Sequence, residues 1–170
     1  LLIMTSPQND VETRTYFKEN SFFGLSEDQL DFFCQETLPF LDREGNLFCS
    51  SRGHLAQGPD GNGGVFKALF HSKIGEKLLG KGVEYLTFSL VDNPLADPFD
   101  PFFLACHQKK GADVTVRCIH KNNPQEKVGV LVEQEGSIAV REYSELPEGA
   151  ESFPYANISH FCFSVKFAEE

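Results

Sequence analysis

The stretch EYLTFSLVD (Glu84–Asp92), followed closely by DPFFLACHQKKG (Asp100–Gly111), constrains the fold more than any other. Its first half is short, apolar and rich in aromatic and β-branched side chains, which reads as a buried central strand. Its second half reads as a helix: Asp100 caps it, Pro101 suits the first position, and Gly111 lets the chain leave. A strand feeding a capped helix is the repeating unit of α/β folds.

The same alternation is legible upstream. Leu1–Thr5 is a short apolar strand, and Asn9 with Glu12 three residues later starts a helix running to about Lys18. Gly24 breaks the chain, Ser26 caps a single turn, and Leu30–Gln35 is the next strand, followed by Pro39 and a polar turn at Asp42–Asn46. From Val65 to Leu79 apolar residues recur at helical spacing. Ser72 and Gly75 divide that region into two helices, Gly80 and Gly82 end it, and Lys77 falls on a solvated face. Beyond Gly111 the pattern turns to strands at Ala112–His120 and Val128–Glu133, a turn at Gln134–Gly136, and strands at Ser137–Tyr143 and Ser159–Phe167. Strand–helix alternation ending in a hairpin predicts one α/β domain with a mixed rather than purely parallel sheet. Seventeen Phe with no Trp and a single Met predict a core built largely on Phe.

A formal net charge of −10 argues against a broad nucleic-acid surface or an anionic membrane as partner. The five cysteines, at 34, 49, 106, 118 and 162, form no C-x-x-C pair. They read as buried thiols in a reducing compartment, hence a cytoplasmic protein.

GPDGNGG (Gly58–Gly64) packs four glycines into seven residues, an entropic cost that needs a reason. It is neither a P-loop, since Val65, Phe66 and Lys67 follow Gly64, nor a dinucleotide fingerprint, since Phe66 stands where the last glycine belongs. Two readings stay open: a tight helix-entry turn, or a place where backbone approaches a ligand.

Several short motifs occur in one order along the chain: IMTS (3–6), FFGL (22–25), FFCQETLP (32–39), GPDGNGG (58–64), VDNPL (91–95), NNPQEKVGVL (122–131), REYSEL (141–146) and ANISHF (156–161). Together they make the chain resemble the UDP-N-acetylhexosamine pyrophosphorylases, the uridylyltransferases that form UDP-N-acetylglucosamine. The resemblance covers essentially all of residues 1–170. It implies a Rossmann-like nucleotide-diphospho-sugar transferase fold, with a mixed, mostly parallel central sheet flanked by helices. Residues 1–170 would be the central portion of that catalytic domain, an incomplete domain. The family's Gly-rich Thr-Arg loop, expected before IMTS, and its phosphate-binding lysine, expected after ANIS, are not among these residues.

The resemblance also implies roles for individual residues. Gln35 and Gly61 would read the imide edge of uracil, for which a carboxamide has the right donor and acceptor. Taken alone, Gln35 reads as a strand-end side chain bonding backbone. Asn62 would reach the sugar's N-acetyl group or a hydroxyl, against an ordinary role as a turn asparagine. Asp92, at the end of the central strand, would hold Mg²⁺ (or Mn²⁺) or a ribose hydroxyl, against a plain turn cap. Lys121 would approach a phosphate, against the commoner surface lysine. Gly129, Glu142 and Asn157 would contact the sugar, with Glu145 supporting the loop. Ala156 and Tyr155 depart from the family's usual glycine and alanine, which bears on sugar choice.

The reaction implied joins UTP and an N-acetylhexosamine 1-phosphate into a UDP-sugar and pyrophosphate. Three alternatives remain open: a UDP-glucose or broad UDP-sugar pyrophosphorylase, a non-catalytic UDP-sugar-binding module, and a structural or interaction domain on the same α/β scaffold. Neither nucleic acid nor membrane is expected as a partner.

Overall fold

In a computed structural model, which describes residues 1–123, 125–134, 136–146 and 153–169, the chain forms two compact units, Leu1–Val83 and Glu84–Ala168. No composition shift or linker marks the boundary between them.

In the first unit, β1 (Leu2–Thr5) pairs in parallel with β2 (Asp31–Cys34), Ile3 facing Phe32. Parallel neighbours need a crossover, and α1 (Asp10–Glu19) supplies it. Asn9 holds the N-cap position, but its carboxamide accepts from Ser6 N at 2.8 Å instead of capping the helix. The helix is tied to β2 by Arg14, which donates to Asp10 and lies 4.9 Å over the Phe32 ring. The Arg14 hydrogen bond holds the Asp10 carboxyl below its ordinary range.

The break after α1 starts before Gly24. Ser21, Phe22 and Phe23 already have left-handed φ of 50°, 50° and 54°. Each costs about 1–2 kcal/mol for a residue with a Cβ. The turn places Phe23 edge-on to Phe17, which packs in turn on Phe32.

A pair of small antiparallel ladders follows, β3 (Thr37–Pro39) with β6 (Gln57–Pro59) and β4 (Cys49–Ser51) with β5 (His54–Leu55). The polar turn lies where expected: Asp42 accepts from the N–H groups of Glu44 and Asn46. Two helices then run as α2 (Val65–Phe70) and α3 (Lys73–Gly80), divided at Ser72, whose Oγ accepts from Ile74 N. Gly75 lets them touch, since a Cβ there would lie 2.8 Å from Phe70 Cα. Lys77 is exposed, as expected of a solvated face, and from there pairs with Asp31 at 2.6 Å, fastening α3 to β2.

The second unit is built around its last strand. β7 (Tyr85–Ser89) leads through a loop to α4 (Pro101–Lys110), then β8 (Val114–His120), β9 (Val130–Gln134), β10 (Ser137–Arg141), β11 (Tyr155–Ser164) and α5 (Val165–Glu169). The Asp100 side chain caps α4 by accepting from Phe102 N and Phe103 N, and Gly111 leaves it at φ 56°, as the sequence indicates. β11 pairs antiparallel with β7 and β8 and meets β9 at Ala156–Val130, while β10 runs antiparallel to β9.

The sheet composition is therefore mixed, but parallel pairing among the described strands is confined to β1 and β2. In the second unit β7, β8 and β9 share one direction, and the ten-residue β11 returns between them, so each pair formed is antiparallel. That strand also begins earlier than the expected Ser159. It stops at Ser164, because Val165 N turns to Glu84 O and Phe167 enters α5.

The expected Phe core is only partly present. Among the described residues the buried apolar side chains are Leu30, Phe33, Leu69, Phe103, Val130, Ala156, Cys162, Val165 and Ala168. Phe23, Phe40, Phe48, Phe99, Phe102 and Phe167 are exposed, and others are half-buried and pair with one another, as Phe88 does with Phe161. At the centre of the second unit His107 is fully buried. Ser164 Oγ donates to Ala112 O, so it accepts from His107 Nε2, leaving Nδ1 to accept from Thr115. Burial pushes the His107 pKa down.

Candidate substrate-binding sites in the two units

In the first unit β2 ends at Cys34, and Gln35 N continues its ladder by donating to Thr5 O at 2.9 Å. The strand pairing therefore holds Gln35 at the carboxyl end of a parallel pair, where ligands of α/β sheets collect. β6 brings the glycine run back to the same place, where Asp60 N donates to Glu36 O. Gly61 N then donates to Gln35 Oε1 at 2.6 Å, so the two expected base-reading groups meet directly.

Gly61 has φ 87°, a conformation that disfavours any side chain. Gly64 meets a different demand, since a Cβ there would collide with the Asp60 carboxylate at 2.5 Å. The run is a helix-entry turn, spanning Asn62–Gly64 before α2, and its Gly61 amide goes to the Gln35 side chain, the strand-end bond to backbone that the residue alone suggests. Asn62 is exposed at the start of that turn. Beside the pair, Lys67 on α2 bonds Glu36. That contact holds the Glu36 carboxyl below its usual range and the Lys67 amine above.

In the second unit the strand directions gather the remaining candidates. Asp92 follows the end of β7, Lys121 the end of β8, and Glu142 the end of β10, while Gly129 precedes β9 and Asn157 lies near the start of β11. The registers Ser89–His160, His120–Tyr155, Val130–Ala156 and Arg141–Val130 put these positions at one level of the sheet, where β7 and β8 end and β9 begins.

Within that set, Gly129 lies against both Asn157 and Glu142. Gly129 O accepts from Asn157 N at 2.8 Å, and a Cβ on Gly129 would lie 3.2 Å from Glu142 Oε1. Glu142 itself is exposed, its loop closed by Glu145 N donating to Glu142 O and Glu142 N donating to Glu145 Oε2. Lys121 is not the surface lysine that the residue type alone favours. It is 8% exposed, with its N–H donated to Pro154 O.

Asp92 is exposed, and its neighbour Asn93 reaches Ile158 O, one residue past Asn157. Among the described residues no group of three or more His, Cys, Asp or Glu side chains could hold a metal ion. Asp92 offers a single hard oxygen ligand. That fits Mg²⁺, which commonly takes one or two carboxylates and completes its shell with phosphate oxygens and water.

Sequence reasoning missed the residues that shape β11 here. Ser159 has φ 52°, and His160 is fully buried with its ring 4.8 Å from Phe103. Burial lowers the His160 pKa, assisted by nearby Arg117. No local signal marks either, because serine rarely adopts that conformation.

The model of the UTP–glucose-1-phosphate uridylyltransferase family matches residues 1–162. The chain belongs to that family. Among curated members, it is 42% identical over 152 residues to UDP-N-acetylglucosamine diphosphorylase 1 of Arabidopsis thaliana, covering 88% of this chain and 30% of that protein. It is 36% identical over 174 residues to UDP-N-acetylhexosamine pyrophosphorylase-like protein 1 of Xenopus tropicalis, covering 97% of this chain and 34% of that protein. The crystal structure of the uridine diphosphate N-acetylglucosamine pyrophosphorylase from Trypanosoma brucei matches with a TM-score of 0.88 and 36% identity, covering 99% of this chain and 36% of that one. The chain thus spans about a third of the length of these family members, and its α/β architecture is that of the uridylyltransferases.

Proposed function

We propose that this chain is the substrate-reading part of a uridylyltransferase that forms UDP-N-acetylglucosamine and pyrophosphate from UTP and N-acetylglucosamine 1-phosphate. One observation carries the reading: the Gln35 carboxamide is oriented by the Gly61 N–H at the carboxyl end of β2. With Oε1 turned to Gly61, the Nε2 hydrogens are presented to a ligand, and Oε1 keeps a second lone pair. A uracil ring, with an N–H flanked by two carbonyls, matches that adjacent donor and acceptor.

In the second unit the candidate residues suit a hexose. Glu142 accepts from hexose hydroxyls, Asn157 donates, and Gly129 leaves room between them. Hydrogen bonds to a charged acceptor contribute about 1.5–3 kcal/mol, enough to select among sugars. Ala156, where the family usually has glycine, is buried opposite Val130, so its methyl belongs to the core.

In the reaction, a phosphate oxygen of the sugar 1-phosphate attacks the α-phosphorus of UTP in line and pyrophosphate departs. No nucleophile of the protein is needed; positioning and charge neutralisation supply the catalysis. Asp92 would hold Mg²⁺, whose chemistry there is neutralising phosphate charge, and Lys121 would add a cation beside the phosphates.

The same reading places the protein in the cytoplasm. All five cysteines are free thiols, but only Cys162 is buried; Cys34 and Cys49 are exposed, contrary to the expected buried set, and exposed free thiols suit a reducing compartment.

The test is pyrophosphate release by the complete protein with UTP and either N-acetylglucosamine 1-phosphate or glucose 1-phosphate. Preference for the N-acetylated substrate is expected. Preference for glucose 1-phosphate would move the assignment to a UDP-glucose pyrophosphorylase. UDP-sugar binding without turnover would make the protein a binding module.

A further inference from the structure

Asn157 sits in an irregular part of β11. Opposite the single step from Arg117 to Cys118 on β8, β11 advances from His160 back to Asn157, leaving Ile158 and Ser159 unpaired with β8. Such bulges re-aim a side chain and recur beside functional sites. This one is held at both ends: Asn157 N donates to Gly129 O, and the His160 ring is fully buried against Phe103.

Its apex is Ser159, at φ 52°, in the left-handed region that a residue with a Cβ rarely occupies. That conformation turns the Ser159 N–H back to the Asn157 side chain, and Oδ1 accepts it at 3.0 Å. Among the described residues, the Asn157 Nδ2 group has a single contact, 3.5 Å to Ser159 Oγ. The carboxamide is thereby oriented: Oδ1 gives one lone pair to the Ser159 N–H, and Nδ2 has an N–H beyond the Ser159 Oγ contact to offer a ligand.

We propose that Ser159 is a positioning residue that presents Asn157 to the sugar phosphate as a hydrogen-bond donor. The inference rests on the uridylyltransferase reading and deepens it. A hexose hydroxyl would accept from Asn157 Nδ2 and, through its own hydrogen, donate to a carboxylate such as Glu142. The polarity is set by backbone conformation at residue 159, not by the hydroxyl of that side chain.

Two variants of the complete protein separate this from a merely structural role. Ser159→Val cannot hold the left-handed conformation without strain. It is expected to raise the KM for sugar 1-phosphate roughly tenfold, the loss of about one good hydrogen bond, with the UTP KM unchanged. Ser159→Gly takes the same φ freely and should keep the sugar-phosphate KM within about twofold of native. Equal rises in both KM values, or a sugar KM unchanged in Ser159→Val, would overturn the proposal.

Hydrogen exchange at the Ser159 amide gives a readout independent of turnover. It should be slow in the native protein and at least tenfold faster in Asn157→Ala; fast exchange in the native protein would overturn the proposal. If the native protein forms no UDP-sugar, the uridylyltransferase reading falls, and the exchange result alone then decides whether Ser159 orients Asn157.

Discussion

Two carboxamides in this molecule are oriented in the same way by different means. In the first unit Gln35 Oε1 accepts from Gly61 N, and in the second Asn157 Oδ1 accepts from Ser159 N. In both, the donating amide belongs to a residue with positive φ, 87° at Gly61 and 52° at Ser159. The first pair is assembled across 26 positions by a glycine run that adopts the conformation without steric penalty. The second is local, two positions apart, and uses a serine held by the strand pairings around it. An amide side chain needs its orientation set before it can tell a donor from an acceptor in a ligand. A backbone N–H in an unusual conformation does this at both places, once by composition and once by context.

The largest effect should come from breaking the first device. Gly61→Val puts a β-branched side chain at φ 87°, where the strain costs on the order of 1–3 kcal/mol. UTP affinity of the complete protein, measured by isothermal titration, should fall by up to roughly a hundredfold. Sugar-phosphate KM should stay within about twofold. A Gly61→Val protein with native UTP affinity would mean that Gln35 needs no orienting amide.

Removing the reading groups themselves should have intermediate effects that part by substrate. Gln35→Ala is expected to weaken UTP binding roughly tenfold, as loss of one or two neutral hydrogen bonds would. Glu142→Gln exchanges a charged acceptor for a neutral one, which predicts a rise of about five- to tenfold in sugar-phosphate KM alone. Steady-state kinetics with each substrate varied in turn would show the separation; both variants affecting both substrates equally would erase it.

The smallest effect is one of stability and belongs to the second unit, which holds the buried histidines. His107 and His160 both have pKa values pushed below the ordinary 6.5, chiefly by burial. His160 is faced by Arg117, which lowers it further, and by Asp100 and Asp97, which raise it; Asp113 raises His107. Above about 6.5 both folded and unfolded chains carry neutral rings, so full stability is present there. Below it the unfolded chain takes up protons first, so stability falls as pH drops toward the folded values. Thermal unfolding at pH 7.5 and 5.5 should show a lower Tm at the acid pH, with His107→Gln narrowing the gap. An unchanged Tm in the native protein would show that these rings are protonated without cost.

Legibility followed whether the cause of a feature was local. The α4 helix was readable from end to end because Asp100, Pro101 and Gly111 each act within a few residues of where they stand. Ser72 divided α2 from α3 for the same reason. The short ladders β3–β6 and β4–β5 were not readable, since their residues are almost all exposed and carry no alternation. The left-handed run Ser21–Phe23 was hidden too, because its cause is aromatic packing with Phe17. Lys77 looked solvated on a helical wheel, and only the docking of α3 on β2 revealed Asp31 beside it.

For the candidate sites, ordered motifs were enough to single out Gln35, Gly61, Asn62, Asp92, Lys121, Gly129, Glu142 and Asn157 and to indicate the family to which the chain belongs. Sequence by itself determined which chemical groups are available and which turns and caps must form, because those depend on neighbouring residues. Only the tertiary structure decided that Gly61 turns its amide to Gln35. It also gathered five separated positions of the second unit at one level of a sheet, and gave a serine in β11 a left-handed backbone. These outcomes depend on long-range pairing, in which the penalty at one residue is outweighed by hydrogen bonds and burial contributed by distant strands.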